Sequence, residues 1–402
     1  MSPRLTSLVL ALALVLAACA PSAKPADVVV APTTTSTSTT TTTTTPTTTT
    51  LPPAPTVQIA GDMGGGLRAT AEAFFDYLHD PTRPAPNGMT PEFAAHVAGY
   101  AAPEGDVDAT ARAEELGNGD RVAIVQVGND TILFVNAGEG WRVVGAFLSD
   151  RDPWLGPTSP RNLLVLGSDA RVGENQLGLR ADSVHILSIL PSSGEGAFLG
   201  FPRDSWVRGS KLTNLMPRGG PDLMVEVIEE VSGIEMEGWV AVGFEGFLDL
   251  MKELGPLEID LPTVMRSGNN WADYPAGPQV LDPKLTLRLA RIRKGLPRGD
   301  FDRTYNQGLI THAAMVMIQD MGIELLPRWV AVFDQHGFTD LDTEALFTFL
   351  ATAYVATPES LTNAVVPAFN GRVGEAAVVF IADSAEAVFR DLDDGVLDET
   401  GS

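Results

Sequence analysis

Arginine and aspartate side chains recur at the ends of predicted strands and helices in the second half of this 402-residue chain. Binding groups commonly lie where regular elements end. The guanidinium fork of arginine suits phosphate oxygens, and carboxylates are hard oxygen ligands of the kind that Mg²⁺ takes. The residues are Arg171, Arg180, Arg203, Arg291, Arg293, Arg298 and Arg303, with Asp169, Asp182, Asp204 and Asp300. Together they predict a magnesium-assisted pyrophosphate site.

Two of the aspartates are predicted to meet at one end of a sheet. Asp169 directly follows the apolar strand 163–167, and Asp182 comes just before the strand 184–190. If these strands are antiparallel neighbours, both carboxylates lie at the same sheet end and can bind one Mg²⁺. Arg203 follows the next predicted strand and reaches the same end.

The segment 291–307 carries the second half of the predicted site. Arg291 and Arg293 would point about 200° apart on a continuous helix, so the backbone must leave the helix if both bind one ligand. Asp300 is predicted to cap the next helix. Arg303 and Gln307 are four residues apart and share one face of that helix, whose N-terminus favours an anion.

Simpler interpretations exist for each residue taken alone. An isolated Arg-Asp pair is usually a surface salt bridge, and an aspartate before a helix is usually only a cap. Several such residues in one domain favour a site. The sequence contains no HExxH, GxSxG or Walker A motif, and its five histidines lack zinc-ligand spacing.

The composition limits the possible partners. With 51 acidic residues against 27 basic ones, the net charge is −24, which argues against nucleic acid as a partner. The hydrophobic fraction of 44% allows a large core. Cys19 is the single cysteine, so no internal disulfide can form.

The N-terminus predicts secretion and a lipid anchor. An apolar run at 5–18 follows Arg4 and suits a signal peptide, residues 1–19. It ends in a sequence that resembles a bacterial lipobox, in which Cys19 is lipidated and holds the protein on the outer face of the membrane. An ordinary signal peptide and an uncleaved anchor are the alternatives, and all three place the rest of the chain outside the membrane. The Thr/Pro-rich linker 20–56 is predicted to be disordered.

The remaining chain is divided by proline- and glycine-rich breaks between 152 and 160. Residues 57–150 predict a small α+β accessory domain without catalytic residues, for which glycan binding is the alternative role. Strands alternating with helices predict an α/β, mixed-sheet α-β-α sandwich for 161–325, completed by a C-terminal extension at 326–402. The predicted helices are 66–79, 220–232, 244–255, 283–292, 301–321, 343–355 and 384–391, and the predicted strands are 122–127, 131–137, 141–148, 163–167, 184–190, 197–201, 239–244, 257–262 and 377–381.

Residues 161–320 resemble the LytR-CpsA-Psr family of extracellular ligases that attach polymers to the cell wall. The resemblance is carried by ordered motifs: NLLVLGSDAR, LRADSVHIL, FPRDSWV, Lys211 with Asn214, GGPDLMVEVIEEVSGI, VGFEGFLDLMKELG and RIRKGLPRGDFDRTYNQ. The family usually has arginine before the closing glutamine, where this chain has Asn306, and Arg298 is a candidate replacement.

The resemblance implies a reaction and a site. The family transfers a glycan polymer from a polyprenyl-pyrophosphate carrier to peptidoglycan and releases polyprenyl phosphate. It implies Mg²⁺ on Asp169 and Asp182, catalytic roles for Arg203, Arg291, Arg293, Asp300 and Arg303, and substrate binding by Arg171, Arg180, Lys211, Asn214 and Gln307. The apolar faces of the helices at 220–232, 244–254 and 301–321 would line the lipid pocket. Two alternatives stay open: a polyprenyl-pyrophosphate hydrolase, and a non-catalytic wall lipoprotein that binds the carrier or a glycan.

Overall fold

The computed structural model describes residues 57–60, 65–103, 107–171, 173–266 and 273–397. The predicted signal peptide, Cys19 and the linker 20–56 lie outside the described residues. All the described residues belong to one compact unit.

The first part of this unit is a five-stranded sheet with two helices. Its strands follow one another in chain order, and all neighbours are antiparallel except the first pair. The predicted hairpin around Gly128-Asn129-Asp130 is confirmed. The elements are β1 (Val57–Ala60), α1 (Gly65–His79), α2 (Pro91–Val97), β2 (Val107–Glu115), β3 (Arg121–Val127), β4 (Asp130–Asn136) and β5 (Arg142–Phe147).

Helix α1 covers one face of this sheet because its apolar residues recur at helical spacing. Leu67, Ala71, Phe74 and Phe75 are fully buried, and they pack with the inward residues of β3 and β4. Spacings of three, four and seven residues place such side chains on one stripe of a helix.

The second part contains the remaining elements, and it has the mixed α/β character that the sequence predicts. Its strands are β6 (Arg161–Ser168), β7 (Ala181–Ile189), β8 (Gly196–Gly200), β9 (Trp206–Val207), β10 (Ser210–Lys211), β11 (Gly238–Val242), β12 (Leu257–Leu261), β13 (Met265–Arg266), β14 (Asp273–Tyr274), β15 (Gly277–Leu281), β16 (Phe338–Thr339), β17 (Leu361–Val365), β18 (Ala368–Val373) and β19 (Ala376–Ile381). Its helices are α3 (Met216–Ser232), α4 (Phe244–Leu254), α5 (Pro283–Arg291), α6 (Asp300–Asp320), α7 (Leu326–His336), α8 (Thr343–Ala351) and α9 (Ala385–Leu392).

A six-stranded mixed sheet in the order β16-β11-β6-β7-β8-β17 forms the centre of this part. Strands β6, β7 and β8 are successively antiparallel, whereas β11 is parallel to β6 and β17 is parallel to β8. Helices α3 and α9 pack on one face. Helices α6 and α8 contribute to the opposite face. The predicted α-β-α sandwich is therefore confirmed.

Helices α4, α5 and α6 form a further cluster with the ribbon of β12 and β15. In α6, Ile310 is buried in this cluster, and Met317 packs against it. This arrangement leaves a gap between the helices and the end of the central sheet. Among the described residues, no single helix has the length and apolar composition needed to cross a membrane, although the bent pair Asp300–Asp320 and Ile323–His336, which turns by 101°, meets both requirements together.

The two parts share a hydrophobic cluster. The second face of the five-stranded sheet, with Ile124 and Leu133, packs against Val330 of α7 and Phe347 of α8. At the rim of this contact, Gly117 N–H donates to Asp334 Oδ2 at 2.7 Å. The division into an accessory and a catalytic domain stays a prediction, but each part covers apolar surface of the other.

Several predicted boundaries differ from the structure. The helix predicted at 220–232 begins at Met216 and is kinked at Gly220, whose φ of 72° is left-handed. The helix predicted at 343–355 ends at Ala351 and continues as a 3₁₀ turn. Helix α7 and strand β17 are absent from the prediction.

Candidate functional site

A cavity of about 330 Å³ lies in the gap between the ends of β6 and β7 and the helices α4, α5 and α6. Its lining residues include five cationic side chains and one carboxylate, in a protein whose net charge is −24. The cations are Arg203, Arg291, Arg293, Lys294 and Arg303, and the carboxylate is Asp182. The cavity is thus a local basic site in an acidic molecule.

The predicted pairing that brings Asp169 and Asp182 together is confirmed. Strands β6 and β7 are antiparallel, and the register shifts between Gly167 and Ser168. This shift leaves Asp182 as the extra residue of a β-bulge, a feature that commonly redirects side chains near functional sites. Burial, followed by the charge of Asp182, raises the pKa of Asp169. The two carboxylates therefore repel one another, which is a setting that a cation would relieve.

Arg203 lies at the same sheet end, as the sequence predicts. Its guanidinium forms an ion pair with Asp182 and lines the cavity. Burial lowers the pKa of Arg203, but the charges of Asp182, Asp204 and Asp300 outweigh burial and raise it. Arg203 therefore stays charged at the cavity wall.

Arg291 and Arg293 both line the cavity because the helix ends between them. Helix α5 stops at Arg291, and Ile292 has φ −62° and ψ 128°, which is extended backbone. The guanidinium of Arg291 lies 4.4 Å from the ring centroid of Phe244, the first residue of α4. The sequence-based prediction that the backbone must leave the helix is confirmed.

Asp204 pairs with two cations, Lys211 and the cavity-lining Arg293. Its carboxylate lies 3.4 Å from Arg293 Nη2 and 3.2 Å from Lys211 Nζ. Lys211 is thereby held close to Arg293, although it does not line the cavity itself. Asp204 was a candidate Mg²⁺ ligand by residue type, and the structure instead pairs it with these two side chains.

The first turn of α6 contains a buried ion pair between Asp300 and Arg303. Burial lowers the pKa of Arg303, while the charge of Asp300 opposes this change. The predicted N-cap role of Asp300 is wrong: Gly299 is the N-cap, because its φ of 59° suits glycine, and Asp300 is the first helical residue. Asp300 therefore orients Arg303 from outside the cavity lining.

Gln307 lies one turn further along α6 and lines the cavity. Its Nε2 donates to the backbone carbonyls of Asp182 at 3.3 Å and of Ala290 at 3.1 Å. Its Oε1 is buried and has no hydrogen-bond partner within the described part of the chain. Gln307 therefore ties β7 to α5 across the cavity.

Four of the five predicted substrate-binding residues lie outside the cavity lining: Arg171, Arg180, Lys211 and Asn214. Arg180 pairs with Asp169, with 3.7 Å between Arg180 Nε and Asp169 Oδ2. Arg171 lies in an exposed turn closed by Glu174, and Asn214 lies in the 3₁₀ turn after β10. The structure does not bring Arg171 or Asn214 to the cavity.

The Asn306 position does not face the cavity either. Asn306 is buried, and its Nδ2 donates to Met265 Sδ at 3.1 Å within the α4–α6 cluster. The suggestion that Arg298 replaces a missing arginine here is wrong, because Arg298 is exposed and pairs with Asp302 at 2.7 Å.

Four residues of the site were not identified from the sequence. Lys294 and Ser183 line the cavity, Phe244 lines it and supports Arg291, and His185 lies behind Ser183. Only Lys294 carried a usable signal, because it directly follows the arginine pair. The contact of Phe244 with Arg291 joins α4 to α5, and the contact of His185 with Thr304 joins β7 to α6; spacing along the chain reveals neither.

Part of the cavity lining is apolar. Phe244, Phe247, Leu287 and Ile310 line it together with the arginines. A cavity lined by both cationic and apolar side chains can bind an amphiphilic anion, such as a phosphate headgroup with an attached hydrocarbon chain.

The carboxylates provide limited protein ligation for a metal. The described ranges contain no group of three or more His, Cys, Asp or Glu side chains able to hold a metal ion. Asp169 and Asp182 remain as a pair, and Mg²⁺ is commonly bound by one or two carboxylates plus substrate phosphates and waters. The residues present therefore fit a cation that is shared with a bound phosphate.

The six-stranded mixed sheet, with helices on both faces and a basic cavity at its end, defines an α/β sandwich domain. The model of the LytR_cpsA_psr family matches residues 149–389, which is more than half of the chain. The protein belongs to the LytR-CpsA-Psr family.

Named relatives match up to half of the chain. It is 30% identical over 214 residues to the polyisoprenyl-teichoic acid–peptidoglycan teichoic acid transferase TagU of Oceanobacillus iheyensis, which covers 50% of this chain and 65% of the relative. It is 29% identical over 167 residues to TagV of Bacillus subtilis, which bears the same transferase name, covering 38% and 42%. It is 29% identical over 167 residues to the probable cell wall biosynthesis protein LcpB of Corynebacterium glutamicum, covering 37% and 40%. The matches thus span less than two thirds of each relative.

Solved structures share the fold. The crystal structure of B. subtilis TagV has a TM-score of 0.50 at 21% identity, covering 59% of this chain and 97% of that one. The protein gbs0355 of Streptococcus agalactiae has a TM-score of 0.52 at 16% identity, covering 60% and 94%.

Proposed function

We propose that the protein is an extracytoplasmic phosphotransferase that moves a glycan polymer from a polyprenyl-pyrophosphate carrier to peptidoglycan and releases polyprenyl phosphate. Two relatives named as polyisoprenyl-teichoic acid–peptidoglycan transferases support this reaction class. The observation that carries the proposal is the cavity itself, whose lining combines five cationic side chains with several apolar ones.

The two kinds of side chain in the cavity lining suit the two ends of such a carrier. The apolar side chains of α4 and α5 would receive the start of the lipid chain, which gains from leaving water. Arg203, Arg293 and Arg303 would hold the oxygens of the two phosphates by charge-assisted hydrogen bonds. The glycan would then extend from the cavity mouth, where Arg293 is half-exposed.

Phosphoryl transfer depends mainly on positioning and on stabilising charge. A sugar hydroxyl of peptidoglycan forms a bond to the phosphorus that carries the glycan, and the bond from that phosphorus to the lipid phosphate breaks. The arginines hold the phosphate oxygens in place throughout, and Asp300 keeps Arg303 oriented. The hydroxyl proton passes to the departing lipid phosphate, directly or through water, and polyprenyl phosphate leaves.

We also propose a Mg²⁺ site on Asp169 and Asp182. The antiparallel pairing of β6 and β7, which brings both carboxylates to one end of the sheet, is the observation that supports it. Burial, followed by the charge of Asp182, raises the pKa of Asp169. When bound, Mg²⁺ would neutralise charge on the pyrophosphate.

The location of the reaction is part of the proposal. A lipid on Cys19 would hold the protein at the outer face of the membrane, where a membrane-embedded carrier is available. The segment 20–56 would separate the folded unit from that surface.

The test uses the full-length chain in detergent with a short polyprenyl-pyrophosphate glycan, peptidoglycan oligomers and Mg²⁺. Mass spectrometry would follow polyprenyl phosphate release and glycan attachment. We expect attachment by the wild type and a loss of about 10²–10³-fold in rate for Arg293→Ala, by analogy with loss of one charge-stabilising donor.

The matched control is Arg121→Ala, which removes an exposed arginine on β3 that pairs with Glu115. It should retain the wild-type rate. Release of lipid phosphate without glycan attachment would contradict the transferase and indicate a hydrolase. Substrate binding without turnover would indicate a non-catalytic carrier-binding protein.

A further inference from the structure

Ser183 and His185 form a hydrogen-bonded pair at the wall of the cavity. Ser183 lines the cavity, and its Oγ lies 3.1 Å from His185 Nδ1. His185 is buried behind it, and its Nε2 lies 3.0 Å from the backbone carbonyl oxygen of Thr304 in α6. The pair therefore connects the cavity to a fixed backbone acceptor.

This chain of contacts fixes the direction of the serine hydroxyl. A carbonyl oxygen only accepts, so Nε2 carries the imidazole hydrogen and Nδ1 is an acceptor. A neutral imidazole carries one hydrogen, so a ring that donates from Nε2 to Thr304 presents a lone pair at Nδ1. Ser183 must then donate its hydrogen to Nδ1, because leaving a buried acceptor unsatisfied costs about 1–3 kcal/mol. The oxygen lone pairs of Ser183 are left for the cavity.

Two glycines make room for this pair. A Cβ added at Gly167 would lie 2.8 Å from Ser183 Cβ. A Cβ added at Gly200 would lie 2.8 Å from His185 Nε2 and 2.4 Å from Thr304 Cγ2. A side chain at Gly167 of β6 or at Gly200 of β8 would therefore collide with the Ser183–His185 pair or with Thr304.

Ser183 shares the cavity wall with Asp182, one of the two carboxylates. The β-bulge brings the consecutive residues Asp182 and Ser183 to the same cavity wall. Asp169 interacts with Asp182 by charge. Since the described ranges hold no third His, Cys, Asp or Glu for a metal group, a third protein ligand here has to be a neutral oxygen. Serine and threonine hydroxyls serve this role for Mg²⁺ in phosphate-binding loops.

We propose that Ser183 Oγ is a third oxygen ligand for a divalent cation held by Asp169 and Asp182, and that His185 is the positioning residue that turns its lone pairs toward the ion. This inference rests on the cation site of the proposed function. It adds a neutral hydroxyl ligand, Ser183, to the two carboxylates, and it adds an imidazole, His185, that holds this hydroxyl in place.

The first experiment measures binding of Mn²⁺ alone to the full-length chain in detergent, by electron paramagnetic resonance. Ser183→Ala should weaken Mn²⁺ affinity about tenfold or more, and His185→Leu should weaken it similarly, because changes in supporting partners cost about 10–100-fold. Ser193→Ala, an exposed serine elsewhere in the chain, is the control and should bind as the wild type does.

The second experiment identifies the ligating atom. Ser183→Cys replaces a hard oxygen by a soft sulfur, so it should lose affinity for Mg²⁺ and gain affinity for Cd²⁺ relative to the wild type. A residue that only supports the fold would not reverse the metal preference. The readout is the competition of each metal with bound Mn²⁺, which does not depend on turnover.

The outcomes separate this inference from the proposed function. If the wild type binds no Mn²⁺, the cation site of the proposed function fails and this inference falls with it. If the wild type binds Mn²⁺ and Ser183→Ala binds it equally well, Ser183 is not a ligand and the inference alone is overturned. Reversal of the metal preference by Ser183→Cys supports it.

Discussion

Asp300 and Arg303 show how one residue can serve a site that it does not line. Asp300 is only 7% exposed and Arg303 only 4%. The guanidinium of Arg303 lies near that of Arg203. Burial, and also the charge of Arg203, lower the pKa of Arg303. The buried carboxylate is the compensating charge when no phosphate is bound.

Asp300→Asn keeps the size of the side chain and removes this compensation. We expect the free energy of unfolding to fall by about 3–5 kcal/mol, because a buried charge is left without its partner. Urea unfolding of the wild type and the variant would measure it. Asp302→Asn, which changes the partner of the exposed Arg298, should cost less than about 1 kcal/mol. Equal losses in the two variants would contradict this view of the buried pair.

At the scale of elements, the cavity depends on where α4 begins and α5 ends. Phe244 starts one helix and Arg291 closes the other, with the guanidinium 4.4 Å from the ring centroid. The contact fixes the direction of an arginine at a helix end, where the following residue is already extended. The two helices therefore position Arg291 jointly.

Phe244→Leu should retain the apolar wall and lose the cation–π contact. A partly desolvated contact of this kind is worth about 0.5–2 kcal/mol, which corresponds to roughly a 2- to 30-fold weaker affinity for a pyrophosphate lipid. Titration of a fluorescent analogue would measure the affinity, with Phe244→Tyr as the conservative control. A weaker affinity in both variants would show that the aromatic face is not the important feature.

The sequence predicted the site at some elements and missed it at others for physical reasons. Asp169 follows one predicted strand and Asp182 precedes the next. Antiparallel pairing of these two strands was therefore sufficient to place the two carboxylates together. Arg171 follows the same strand, but a turn residue has no periodic constraint on its direction. The bulge opposite Gly167 depends on the register between β6 and β7, and the contact of His185 with Thr304 joins β7 to α6. A single sequence specifies neither.

At the scale of the whole molecule, the five-stranded sheet and the central sandwich stabilise one another. Their shared cluster joins β3 and β4 with α7 and α8. Arg161, at the start of β6, reinforces the junction: it pairs with Glu237, and its Nη1 donates to Leu155 O at 3.1 Å and to Thr348 Oγ1 at 3.0 Å. Helix α7 was missed from the sequence, although the cluster depends on it.

Phe347→Ala should therefore destabilise both parts at once. Phe347 is fully buried in the shared cluster, and such a truncation costs about 3–5 kcal/mol. Hydrogen exchange should show faster exchange in β3 and β4 as well as in α8. Phe338→Ala, which changes an exposed side chain on β16, should leave these rates unchanged. Unaltered exchange in β3 and β4 of Phe347→Ala would mean that the parts are energetically independent.

The shared cluster has a consequence for how the chain is made. Synthesis proceeds from the N-terminus, so the strands with Ile124 and Leu133 leave the ribosome about 200 residues before the helices that cover them. Contacts over such separations close slowly, and an uncovered apolar sheet face tends to aggregate. This face of the sheet can be covered only after α8, which ends at Ala351, has been synthesised. A chain that stops before Leu326 would leave the face exposed.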